Sequence, residues 1–173
     1  MSCVVGVIQQ GKVYIASDGL ATTEEGERRP VICIKVFTNK HYLIGYTGSV
    51  RHGQILGPRF FDPPSSIYDF PDAARKIYEE KGAMLVNDTG QQMFASNVLI
   101  GHAGRLFELL IDYQMNEVYG DFTSIGSGAP YAIGSLFATK KWKSPIKRIV
   151  NSLDAACEYD RSCGKPYTIE VME

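Results

Sequence analysis

The sequence enters a β-hairpin almost at its first residue, and this constrains the fold more than any other feature. Cys3 to Gln9 is an apolar run rich in β-branched residues. Gln10-Gly11 supplies a turn, and Val13 to Ala16 resumes the β pattern before Asp18-Gly19. Most domains leave their first few residues loose, whereas a strand at that place ties the terminus into the sheet.

The rest of the chain alternates runs of strands with pairs of helices. Ala21 to Pro30 is too charged and too broken by glycine for a strand. Val31 to Phe37 and Tyr42 to Tyr46 predict a second hairpin across Thr38 to His41, closed by the small residues Thr47-Gly48-Ser49. A short helix is expected from Ser49, ended by Gly57-Pro58 and Asp62-Pro63-Pro64. Asp69 and Pro71 mark the start of a clearer one, with Ala73, Ala74, Ile77 and Tyr78 at helical spacing up to Gly82.

Strands then return at Val98 to Gly101, Arg105 to Asp112 and Glu117 to Tyr119, with turns at His102 to Gly104 and Tyr113 to Asn116. Ile125-Gly126-Ser127-Gly128 leads into a small-residue helix from Tyr131 to Thr139. Ser144-Pro145 caps a long helix with Ile149, Val150, Leu153, Ala156 and Cys157 on one face. Tyr167 to Met172 is a last strand. This order argues against a doubly wound parallel sheet. It predicts an α+β fold, two mainly antiparallel sheets face to face with helix pairs outside, a four-layer αββα sandwich in one domain over 1–173.

Composition narrows the partners. The net charge of −1 gives no basic excess for nucleic acid, and Lys140-Lys141-Trp142-Lys143 reads as a solvated helix end rather than a phosphate patch. No apolar stretch reaches membrane-spanning length, and the N-terminus lacks the basic region of a signal peptide, so a cytoplasmic protein without membrane contact is expected. Cys3, Cys33, Cys157 and Cys163 show no paired spacing and read as free thiols of a reducing compartment. His41, His52 and His102 carry no ligand spacing, so neither metal nor cofactor is expected. His52 is read as a surface residue, with a place in a substrate pocket as the alternative.

Four blocks carry a resemblance. VVGVIQQGKVYIASDGLATT resembles the first hairpin of proteasome β subunits and of the HslV-type bacterial peptidase. KVFTNKHYLIGYTGS is similar to their Lys-containing second hairpin, IGSGAPYAIGSL to their IGSG-PYA segment, and YDRSCGKPYTIEV to their closing Asp-x-x-Ser-Gly and strand. The blocks stand in the family's order and reach both ends of the chain. The resemblance implies the N-terminal-nucleophile hydrolase fold and a threonine/serine-type endopeptidase. It further implies a homo-oligomeric ring, an ATPase unfoldase that feeds it, and peptides or unfolded proteins as substrate.

It also assigns roles. Ser2 becomes the nucleophile once Met1 is removed, and the freed α-amine serves as its base. The family mostly has Thr there, so Ser keeps the oxygen and loses the methyl. Lys35 points at the nucleophile and favours its ionised form; the plain alternative is a lysine on the polar face of a strand. Asp18 pairs with Lys35, against a plain reading as a turn residue before Gly19. Gly48 supplies an oxyanion-hole N–H, Ser127 supports the amine, and Asp160 orients that group. Cys163 stands where relatives often have Ser, a weaker donor in the same network.

Two other readings stay open. A catalytically silent ring subunit is expected to lack Lys35 or Asp18, and both are present. A small-amide hydrolase on the related fold carries longer pocket loops than this compact chain offers.

Overall fold

A computed structural model describes residues 2–22, 27–29 and 33–173 of the chain. In chain order it contains β1 (Cys3–Gln9), β2 (Lys12–Asp18), β3 (Ala21–Thr22), β4 (Arg28–Arg29), β5 (Val36–Asn39), β6 (Tyr42–Gly48) and α1 (Val50–Ile55). There follow α2 (Phe70–Glu80), β7 (Leu85–Val86), β8 (Gln92–Met93), β9 (Ser96–His102), β10 (Arg105–Leu109), β11 (Met115–Glu117) and β12 (Phe122–Gly126). The chain closes with α3 (Ala129–Ala138), α4 (Pro145–Tyr159) and β13 (Tyr167–Met172).

The strands form two antiparallel sheets. The first runs β12-β1-β2-β13 and the second β11-β10-β9-β6-β5. Strand alternation sorts the side chains of each sheet into two layers. Val4, Val13 and Ile15 of the first sheet meet Val36, Leu43, Leu99 and Leu106 of the second. The opposite face of the first sheet, with Cys3, Val5, Val7 and Ala16, packs on Ala132 and Leu136 of α3 and Ile149, Leu153 and Ala156 of α4. The outer face of the second sheet, with Ile44, Tyr46, Val98, Ile100 and Phe107, packs on Ile55 of α1 and Phe70, Ala74 and Tyr78 of α2. These are the four layers, αββα.

The helices start where capping chemistry places them. Ser49 accepts the His52 N–H ahead of α1, and Ser144 accepts the Lys147 N–H ahead of α4, with Pro145 in the first turn. In α2, Phe70, Ala74 and Tyr78 recur every fourth residue and form its buried stripe.

Several local expectations shift. Lys35 lies outside any strand: Cys33 to Lys35 is irregular, and β5 begins at Val36. The turn after it is two residues, Lys40-His41, with Lys40 at φ 53. The polar segment after Asp18 contains a two-residue pairing, β3 on β4, where no strand is expected. Residues 23–26 and 30–32 lie outside the described residues, including Val31 and Ile32, the expected start of the second hairpin. The strand expected at Glu117 to Tyr119 is β11, ending at Glu117, and β12 precedes the IGSG turn unforeseen. β12 pairs with β1, Cys3 opposite Gly126, and so brings that turn to the start of the chain.

Candidate active site

The first residues of β1 lie at the edge where the two sheets meet. Ser2 is buried just before the strand, and its backbone is held from two directions. Its N–H donates to Ser127 Oγ at 3.2 Å, and its carbonyl accepts the Gly128 N–H at 3.2 Å. The turn that does this requires glycine. Gly126 has φ 97, and a side chain there would sit 2.2 Å from the Ser2 carbonyl oxygen.

One residue on, the Cys3 N–H donates to Asp18 Oδ1 at 2.9 Å. Asp18 ends β2 and is fully buried. The same Oδ1 accepts Lys35 Nζ at 2.9 Å, while Oδ2 accepts the Leu20 N–H at 3.1 Å and the Gly164 N–H at 3.3 Å. Lys35 Nζ also donates to the Leu20 carbonyl at 2.7 Å. A buried ion pair is tolerated only when its remaining hydrogen-bonding capacity is met, and here the carboxylate is ringed by donors. The pair joins the first sheet to the strand edge of the second, because the Lys35 carbonyl accepts the Tyr46 N–H at 2.9 Å.

A third group closes the arrangement behind Ser127. Burial alone would raise the Asp160 carboxyl. Hydrogen bonds from Ser127, from the Ser162 backbone and from Cys163 outweigh it and hold the carboxyl below its ordinary value. The Ser162 N–H donates to Oδ1 at 2.8 Å and Cys163 Sγ to Oδ2 at 3.5 Å. Asp160 therefore orients Ser127, which in turn meets the Ser2 nitrogen.

Cys163 reaches this relay through Asp160. Burial pushes its thiol far above the ordinary range, and burial likewise pushes Cys3 up to about 12 against the opposing hydrogen bond of Ser124. Burial of this kind disfavours the thiolate form of both. All four cysteines are free thiols.

Ser2, Lys35 and Gly48 line one small cavity of about 40 Å³, together with Leu20, Ala21, Thr22 and Thr47. Gly48 has φ 89, and a Cβ there would lie 2.3 Å from the Ala95 carbonyl oxygen, so glycine is required. Through Ala21, Cys33, Tyr46 and Val50 this space adjoins a larger cavity of about 670 Å³, bounded by α1 and the Gly57 to Phe60 turn.

The structure thus brings together Ser2, Asp18, Lys35, Gly48, Ser127, Asp160 and Cys163. Leu20, Gly164 and Ser162 take part through backbone N–H groups, which no side-chain pattern reveals; only the Asp160-x-Ser162 spacing, typical of an Asx turn, points to one of them. His52 departs from both expectations: it is buried edge-on against Tyr78, with Nε2 2.7 Å from the Ala83 carbonyl.

Solved structures match this architecture over almost the whole chain. BPH of Thiobacillus denitrificans in complex with epoxomicin superposes with a TM-score of 0.81 at 23% identity, covering 99% of this chain and 98% of that one. HslV from Trypanosoma brucei gives 0.73 at 17%, covering 99% of each. The chain has the proteasome-type N-terminal-nucleophile hydrolase fold. Anbu, an ancestral beta-subunit from Yersinia bercovieri, shares this proteasome-type fold with a TM-score of 0.71 at 16% identity, covering 99% of this chain and 82% of that one. No family model and no curated protein sequence matches the chain. Among the described residues, no helix is long and apolar enough to cross a membrane.

Proposed function

We propose that this chain is a proteasome-like peptidase subunit that cleaves peptide bonds with Ser2 as its N-terminal nucleophile. The observation that carries the reading is the Asp18–Lys35 pair, buried and hydrogen-bonded to the Cys3 N–H, one residue from Ser2, with Lys35, Ser2 and Gly48 on one cavity. Removal of Met1 turns the Ser2 nitrogen into an amine of pKa about 7.7–8.0, much of it neutral in cells. That amine takes the Oγ proton as Oγ attacks the scissile carbonyl. The oxyanion so formed faces the Gly48 N–H. The tetrahedral adduct collapses to an ester on Ser2, and the departing amine leaves with the proton. Water, giving its own proton to the α-amine, then hydrolyses the ester and frees Ser2.

Lys35 contributes a fixed positive charge that favours developing alkoxide, and Asp18 keeps that charge in place. Ser127 and Asp160 orient the amine. The larger cavity receives side chains on the acyl side of the bond. Assembly into a homo-oligomeric ring, feeding by an ATPase unfoldase and a cytoplasmic location belong to the same reading, which rests there on resemblance. The silent-subunit reading predicts a broken Asp18–Lys35 pair, and the pair is intact.

The test combines three measurements on the protein from its native source. Intact mass shows whether Met1 is removed; sedimentation shows whether the 19.2 kDa chain assembles. Fluorogenic peptide hydrolysis is expected in the wild type and lost in Ser2→Ala. Epoxomicin, bound in the Thiobacillus denitrificans protein, is expected to add its mass to the wild type and not to Ser2→Ala. Retained Met1, or equal turnover in both proteins, overturns the assignment.

A further inference from the structure

The larger cavity carries an unused asymmetry. The wall it shares with the Ser2 cavity is small and mostly apolar: Ala21, Cys33, Tyr46 and Val50. Its charged side chains, Arg51 and Arg59, belong to the part not shared with that cavity, and its described lining contains no Asp or Glu. At about 670 Å³ it has the size of a pocket for a ligand of several groups, more than one side chain occupies.

The wall bearing Arg59 is preformed. Below it, the buried Asn39 amide donates to the Leu56 carbonyl at 3.0 Å and to the Phe61 carbonyl at 2.9 Å, bracketing the turn between them. Within the turn, the Phe60 and Phe61 N–H groups donate to the Gly57 carbonyl at 3.0 and 3.1 Å. Phe61 is buried edge-on against Phe70. Arg59 and Lys81 both stand 5.3 Å from the centre of the Phe60 ring, so two cations flank one aromatic ring.

An extended peptide presents every second side chain to the same face, about 6.6 Å apart. A peptide whose residue at the cleaved bond meets the shared apolar wall carries the residue two positions earlier on the same face, further along the cavity that Arg51 and Arg59 also line. We infer that the cavity selects peptides with an apolar residue at the cleaved bond and an acidic residue two positions before it, read by Arg51 and Arg59. This names a substrate class for the proposed site and rests on that reading for its placement beside Ser2.

Two assays separate the inference from the reading. In the first, wild-type protein hydrolyses acetylated fluorogenic tripeptides ending in alanine-leucine, with glutamate, alanine or lysine in front. The expected kcat/KM order is glutamate, alanine, lysine, with about tenfold between the ends, about 1.4 kcal/mol in all, as for weak, partly exposed charge pairs. That spread shrinks between about 0.05 M and about 0.5 M salt, where screening shortens. Arg59→Glu reverses the order, and Asn39→Ala, which unties the turn, narrows it.

The second assay measures binding of the corresponding unlabelled tripeptide amides to Ser2→Ala by calorimetry, which needs no turnover. Binding with the same order but no hydrolysis by the wild type leaves the inference standing and removes the peptidase reading. A spread that is absent, unchanged by Arg59→Glu, or larger for glutamate at the cleaved bond than two positions before it overturns the inference.

Discussion

At the scale of single residues, the Asp18–Lys35 pair is a buried ion pair to which the proposed function also gives a chemical role. Asp18 has no solvent contact, and Lys35 donates to it from the segment just ahead of β5. Replacing Lys35 by Met leaves a carboxylate buried with backbone donors but no counter-charge. The loss expected in urea denaturation is about 3–5 kcal/mol, the usual result of breaking one side of a buried pair. The double variant Asp18→Asn, Lys35→Met removes both charges and recovers part of that loss, while peptide hydrolysis stays absent. Recovery of stability without activity separates the structural from the chemical role of the charge.

Asp160 gives a pH-dependent counterpart. Its carboxyl is held below the ordinary value of about 3.9 in the folded protein, so the folded state binds the proton less readily than the unfolded one. The stability it contributes is therefore complete above the unfolded value and is lost as pH falls through the folded one. Asp160→Asn is expected to lower stability by a constant amount from neutral pH down to about pH 5, with the gap to wild type closing below about pH 4. Parallel denaturation curves across that range measure it, and a gap that grows in acid contradicts the assignment.

At the scale of elements, the sequence made some of this legible and left some hidden. The first hairpin, β13 and the caps of α1 and α4 follow from local pattern: β-branched runs, Gly turns and Ser before a helical stretch. Lys35 is legible as a charge in an apolar run, yet it precedes β5 instead of lying within a strand, and its side chain reaches Asp18 at the end of β2. β12 is hidden because its two apolar residues, Phe122 toward the helix layer and Ile125 between the sheets, are separated by Thr and Ser and form no run. Its strand character comes from pairing with β1, a contact across about two thirds of the chain that no local window contains.

Gly48, where β6 gives way to α1, is the element-scale test. Its φ of 89 and the Ala95 carbonyl 2.3 Å from any Cβ both oppose a side chain. Gly48→Ala is expected to cost about 2–3 kcal/mol in thermal or urea denaturation. In the proposed mechanism hydrolysis falls further than the folded fraction explains, since the Gly48 N–H assigned there to the oxyanion rotates with the strained backbone. Activity measured well below the melting temperature distinguishes the two effects.

At the scale of the whole molecule, the candidate site depends on how closely the sheets approach. Ser2, Asp18 and Ser127 belong to the first sheet or the residues flanking it; Thr47 and Gly48 come from the second, with Lys35 just ahead of its strand β5. Glycines on the inner faces allow the approach. A Cβ on Gly6 would lie 2.7 Å from Leu99 Cδ2, and one on Gly45 would lie 2.7 Å from both Val4 Cγ1 and Ile15 Cγ2. The atoms opposite Gly45 belong to β-branched side chains with little rotamer freedom, so the sheets themselves must give way. Gly45→Val is then an overpacking change costing about 1–3 kcal/mol. Its larger effect is geometric: the second sheet carries Gly48 and Lys35 away from Ser2, and misplacement by about 1 Å costs roughly a hundredfold in rate. The expected outcome is a protein that still melts cooperatively, still binds the tripeptide amides through the outer cavity, and hydrolyses peptides about a hundredfold more slowly. Gly45→Ala adds less volume at the same contact and is expected to fall between the two. A Gly45→Val protein with wild-type turnover would mean that the site is assembled by the first sheet alone.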